Sequence, residues 1–122
     1  MTRPLILHGI VQTGAKRGRL LGFPTANFPV AQSIAEGIYA ADVTIDGKIY
    51  HSATFIGAAG TFGETQKKGE AYILNFTGDL YGQEITVRLI KKIRDNQTFT
   101  SQESLIAQIA LDILQVKSFF TS

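Results

Sequence analysis

Asp46-Gly47 stands between two β-rich runs, Ile38 to Ile45 and Lys48 to Ile56. An Asp-Gly pair accepts the left-handed backbone of a two-residue hairpin, so the two runs are expected to pair antiparallel. That hairpin commits the chain to an antiparallel sheet, and the remaining segments have to fit around it. Leu5 to Val11 is mostly apolar and reads as a core strand. Glu70 to Thr77 and Ile85 to Ile93 alternate well enough for two more, with Gly78-Asp79 turning the first of them. Pro29 to Glu36 reads as an irregular connection ending at Gly37. Gly57 to Gly69, with further glycines at 60 and 63 and with Lys67 and Lys68, reads as a long loop. The last segment changes period. Leu105, Ile109, Ile113, Val116 and Phe120 recur every three or four residues, and Thr100 precedes Glu103 at capping-box spacing. Short strands followed by one amphipathic helix imply a small antiparallel barrel with the helix packed outside.

The 122 residues suit a single domain, 1–122, with no linker or repeat to divide it. Cysteine is absent, which excludes thiol nucleophiles, disulfides and zinc sites of the cysteine type. No transmembrane run or signal peptide is read from the sequence, and a cytoplasmic enzyme or binding domain is expected. The net charge of +2 hints at anionic ligands without requiring nucleic acid. His8 and His51 stand far apart without carboxylates at metal-ligand spacing. Both read as ordinary strand histidines, and Asp42 and Asp112 as solvated or capping residues.

Gly14 to Asn27 is the stretch with the most chemistry. Gly14, Gly18 and Gly22 allow close backbone approach to a ligand, and Lys16, Arg17 and Arg19 add positive charge. Pro24 fixes its own φ and drives Phe23 extended, so Thr25 and Asn27 are presented in a defined geometry. Their side-chain oxygens suit a hard cation such as Mg²⁺. The glycines match neither the Walker pattern nor a Gly-x-Gly-x-x-Gly helix start. On composition alone, a plain hairpin connection with solvated charges is the commoner case.

The order Gly-x-Leu-Leu-Gly-Phe-Pro-Thr-Ala-Asn, ending at Asn27, closely resembles the signature of the riboflavin kinase (flavokinase) family. Glu70 followed by an apolar strand and Phe76-x-x-Asp79-Leu80-Tyr81-Gly82 is similar to that family's second signature. Ile93-Arg94-Asp95-x-x-x-Phe99 resembles a third segment, and Gly37-Ile38-Tyr39-Ala40 a strand start. The likeness runs from about Gly9 to the last helix and is similar to the C-terminal kinase domain of bacterial bifunctional riboflavin kinase/FAD synthetase. It implies a six-stranded antiparallel Greek-key barrel with a C-terminal outer helix, transferring the ATP γ-phosphate to riboflavin to give FMN. It further implies Mg²⁺ on Thr25 and Asn27, and nucleotide binding by Gly14, Gly18, Arg19, Gly22, Phe23, Pro24, Thr25 and Asn27. Glu70 becomes the catalytic base for the ribityl hydroxyl, and Arg94 lines the flavin side.

For Glu70 the plain alternative is a surface strand glutamate beside Lys67 and Lys68. For Arg94 it is a surface ion pair with Asp95. Tyr81 reads as packing or capping, Gly82 as a turn residue, and Phe99 as core. The sequence departs from the bacterial pattern at Phe55, where relatives carry Asn, and at Ala59-Gly60, where they carry Arg-Pro; Lys16 replaces a common Gly. These changes motivate a second reading, a flavin- or nucleotide-binding module with weakened catalysis. A small basic barrel for single-stranded RNA is a third. No His-x-Gly-His motif of an adenylyltransferase occurs, so a stand-alone kinase or a domain from a longer protein is expected. Its partners are then small molecules, with no nucleic acid and no membrane, and the chain is a monomer.

Overall fold

The computed structural model describes residues 5–12, 25–31, 33–58, 67–78 and 80–121. Among these residues six strands and one helix follow in order: β1 (Leu5–Ile10), β2 (Thr25–Pro29), β3 (Gly37–Ile45), β4 (Lys48–Ala58), β5 (Lys67–Ile73), β6 (Glu84–Arg94) and α1 (Gln102–Thr121). All pairings are antiparallel, in the order β1-β6-β3-β4-β5-β2. β3, β4 and β5 form a meander, and β6 returns to lie beside β3, which is the Greek-key arrangement. The two ends of the sheet meet where Gln12 N–H donates to the Asn27 carbonyl at 2.6 Å, an isolated bridge between the end of β1 and β2. The expected barrel and outer helix are both present.

Asp46 and Gly47 adopt φ of 50° and 79°, the doubly left-handed turn that the hairpin dipeptide implied. Four segments differ from the sequence reading. β1, read as a core strand, is mostly exposed, with Leu5, Ile6 and Ile10 at 46%, 57% and 59%. Thr25–Pro29, bracketed by prolines, is a strand; it lies at the end of the sheet order and, among the described residues, pairs with β5 and, through the bridge, with Gln12. A proline is tolerated at such an edge. Lys67 to Gly69 belong to β5 rather than to a loop, pairing with 56–58 of β4. The helix cap is Ser101, whose hydroxyl accepts from Ser104 N–H at 3.1 Å, and not Thr100.

Alternation along each strand divides the core in two. Phe28, Val43, Ile56, Ile73, Ile85 and Val87 point into the barrel and are at most 1% exposed. On the outer face, Ala40 and Ala53 keep the sheet surface low. Ile109, Ile113 and Val116 of α1 pack there, against Tyr72 and Leu74. Helix α1 is, among the described residues, a segment apolar and long enough to cross a membrane, with mean hydropathy 1.2. Its buried face packs on this second core.

Two acidic residues read as solvated or capping are neither. Asp42 is 8% exposed; it accepts from Arg88 and stands 3.9 Å from His51 Nε2. Asp112, at 1% exposure, lies on the apolar face of α1. Tyr81 is largely exposed, while Gly82 does take a left-handed φ of 81°.

Candidate active site

β2 and β5 pair so that Asn27 stands opposite Glu70 and Thr25 opposite Tyr72. Ala26, Phe28, Ala71 and Ile73 of the same strands belong to the barrel interior. Thr25, Asn27, Glu70 and Tyr72 therefore share the outer face that carries α1. Directly opposite residues in such a ladder have Cβ atoms roughly 4.5–5.5 Å apart. On the other side of Glu70, β4 sets Phe55 in register with it. Three strands thus bring Asn27, Glu70 and Phe55 into one row.

Glu70 is 4% exposed, not the solvated glutamate of the plain alternative. Its Oε1 accepts from the Tyr72 hydroxyl at 2.9 Å. Its Oε2 is buried and has no hydrogen-bond partner among the described residues, and the same holds for Thr25 Oγ1. An unsatisfied buried polar atom costs about 1–3 kcal/mol, so two of them on one face mark it as a candidate ligand site. Gly69, just before Glu70, faces Phe28: a Cβ there would sit 2.4 Å from the ring.

A cavity of about 80 Å³ lies between this face and the N-terminal half of α1, lined by Ile38, Phe55, Tyr72, Arg94, Phe99 and Leu105 among others. Small-molecule sites usually measure roughly 300–1,000 Å³. Phe99 is half-buried and lines this cavity, with the Arg94 guanidinium 6.0 Å from its ring centre, so it is wall rather than closed core.

Arg94 is held rigidly. Its Nε and Nη2 donate to the two carboxylate oxygens of Asp112 at 2.8 and 2.7 Å, and Nη1 donates to the Asp95 carbonyl at 2.9 Å. Gln108 adds a donor to Asp112 at 3.0 Å. The Asp95 carboxylate pairs with Lys92 instead, which raises the Lys92 pKa and lowers that of Asp95, chiefly through their hydrogen bond. Sequence reasoning missed Tyr72 and Asp112. Tyr72 had a usable signal, since it sits two residues beyond Glu70 on one strand face. Asp112 had another, a carboxylate within the apolar stripe of a helix.

Gly14, Gly18, Arg19, Gly22, Phe23 and Pro24 lie outside the described residues, as do Ala59 and Gly60. The model of the flavokinase family, described as riboflavin kinase, matches residues 1–120. The chain belongs to the riboflavin kinase family. Members of that family use ATP to phosphorylate riboflavin, giving FMN. The chain is 38% identical over 120 residues to the bifunctional riboflavin kinase/FMN adenylyltransferase of Escherichia coli K12, covering 96% of this chain and 38% of that protein. It is 39% identical to a trifunctional RibF/MnmA protein of Mycoplasmoides gallisepticum, of which it spans 18%. The chain thus spans well under half the length of these curated relatives. Among solved structures, riboflavin kinase from Trypanosoma brucei superposes with a TM-score of 0.66 at 23% identity, covering 99% of this chain and 82% of the other, and supports the fold. A Streptococcus pneumoniae structure described as a macrolide-efflux protein gives a TM-score of 0.80 at 33% identity over 93% of this chain and 38% of that one. That description names a different activity.

Proposed function

We propose that this chain transfers the γ-phosphate of ATP to the 5′-hydroxyl of riboflavin, with Glu70 as the base. The carrying observation is that Asn27 and Glu70 are cross-strand partners on one buried face while Thr25 Oγ1 and Glu70 Oε2 both lack protein partners among the described residues. The ribityl hydroxyl oxygen bonds to the γ-phosphorus, its proton passes to Glu70 Oε2, and the bond from the γ-phosphorus to the bridging oxygen breaks to release ADP. Positioning and charge stabilisation dominate such transfers, and a placed base adds about 10²–10⁴-fold.

Thr25 and Asn27 would hold Mg²⁺. The unpartnered Thr25 hydroxyl fits that role, and no cluster of His, Cys, Asp and Glu among the described residues competes for a metal. Two neutral protein oxygens suit an ion that keeps water and phosphate oxygens as its other ligands. When bound, it neutralises charge on the ATP phosphates. Gly14, Gly18, Arg19, Gly22, Phe23 and Pro24, immediately before Thr25 in sequence, form the nucleotide cradle in this reading. Arg94 seats the flavin as a fixed cationic wall: two of its nitrogens are committed to Asp112, which favours stacking over bidentate phosphate binding. We read the domain as a cytoplasmic monomer acting on small molecules, with neither nucleic acid nor membrane as partner.

The test is FMN formation from riboflavin and ATP with and without Mg²⁺, followed by chromatography. Glu70→Gln is expected to lower kcat at least 100-fold while its melting curve stays close to wild type. Wild-type turnover in that variant would remove Glu70 from the chemistry. Among the described residues no structural observation favours the weakened-module reading: Phe55 takes a place in the row beside Glu70, and Ala59 and Gly60 lie outside those residues.

A further inference from the structure

Tyr72 stands two residues beyond Glu70 on β5 and is 3% exposed. Its hydroxyl donates to Glu70 Oε1 at 2.9 Å, and its ring lines the cavity between the sheet and α1. The two oxygens of the carboxylate are thereby made unequal: Oε1 is engaged, while buried Oε2 has no partner among the described residues. A carboxylate free to rotate about its last torsion presents either oxygen over a broad range of angles. A buried donor fixed to one oxygen removes that freedom, and proton abstraction depends on the base sitting within hydrogen-bond reach in one orientation. We infer that Tyr72 is the positioning residue of this site, holding Glu70 by Oε1 so that Oε2 alone meets the alcohol of the substrate.

Tyr72 keeps its own proton throughout, because the proton lost by the alcohol goes to Oε2. The inference rests on the reading of Glu70 as base, and it adds the atom that acts and the residue that selects it. The aromatic ring has a second duty as cavity wall, so the test must separate hydroxyl from ring. Tyr72→Phe removes only the hydroxyl and keeps the packing against α1.

The experiment is a double-mutant cycle on riboflavin phosphorylation with wild type, Tyr72→Phe, Glu70→Gln and the double variant. Tyr72→Phe is expected to lower kcat about tenfold, the size of a hydrogen bond to a charged group, with KM for riboflavin within twofold of wild type. In the Glu70→Gln background the same change is expected to alter kcat less than twofold, since there is no longer a base to aim. A slow Glu70→Gln beside a Tyr72→Phe of wild-type kcat overturns the inference and leaves the base intact. An equal loss from Tyr72→Phe in both backgrounds also overturns it, because the hydroxyl would then act on folding or the pocket. A Glu70→Gln variant with wild-type kcat removes the base and the inference together.

Discussion

Gly69 shows how one atom controls this site. It needs no left-handed backbone; what it supplies is room for Phe28, a 1%-exposed ring at the centre of the barrel. A Cβ at 69 would lie 2.4 Å from that ring, so either Phe28 leaves its rotamer or β5 shifts, and Glu70 is the next residue along. Gly69→Ala is expected to cost about 1–3 kcal/mol in urea unfolding, as overpacked cores do, and to depress kcat as well. The Arg94–Asp112 pair makes a second case. Asp112 is 1% exposed and the Arg94 side chain 16%, so removing either partner strands a charge. Arg94→Met is expected to destabilise by about 3–5 kcal/mol, leaving a carboxylate buried and uncompensated. The double change with Asp112→Leu should recover most of that loss. If urea melts show the two single losses simply adding, the pair is not coupled as the geometry implies. The partner of Asp112 was illegible from sequence because Arg94 lies 18 residues away with no periodic relation to it.

At the scale of elements, what could be read was what local chemistry dictates. Asp46-Gly47 specifies its turn by itself, and β3, β4 and β6 carry their strand pattern in their own residues. The stripe from Leu105 to Phe120 specified α1, and its buried members Ile109, Ile113 and Val116 are those the spacing named. β2 was hidden because prolines at 24 and 29 frame it, and its strand character comes from β5 rather than from itself. Of the site, Thr25 and Asn27 were singled out by their oxygens after Pro24, while their family role and that of Glu70 came through a resemblance. Their physical juxtaposition, across two strands separated by about forty residues, is a matter of register that no local pattern encodes. The helix cap was misread by one residue: Thr100 and Ser101 are both capping types, and only the geometry of the turn chooses. Ser101→Ala is expected to cost about 1 kcal/mol and Thr100→Ala less than roughly half of that, measured by circular dichroism in urea. The reverse order would return the cap to Thr100.

For the whole molecule, the site is where closure of the barrel is decided. Asn27 gives its carbonyl to Gln12 to join the sheet's two ends, while its side-chain row with Glu70 and Phe55 reaches across three strands to the cavity under α1. A ligand seated there ties β2, β5, β4 and α1 together, so its binding energy acts on the global unfolding transition rather than on one loop. A ligand at a hundredfold excess over its Kd adds about 2.7 kcal/mol, which for a domain of this size moves Tm by on the order of 10 °C. Riboflavin or FMN is therefore expected to raise the midpoint of one cooperative melt by that amount, with Mg-ADP contributing separately. Asp112→Asn should shrink the flavin shift under the proposed role of Arg94, because residue 112 then keeps a single acceptor oxygen and no charge to hold the guanidinium, and should leave the Mg-ADP shift near its wild-type size. Equal loss of both shifts would mean that Asp112 supports the fold as a whole and not the flavin side. A flavin that shifted only a minor, early phase of the melt would locate its binding on a segment peripheral to the three-strand row, and would detach the cavity from the chemistry assigned to Glu70.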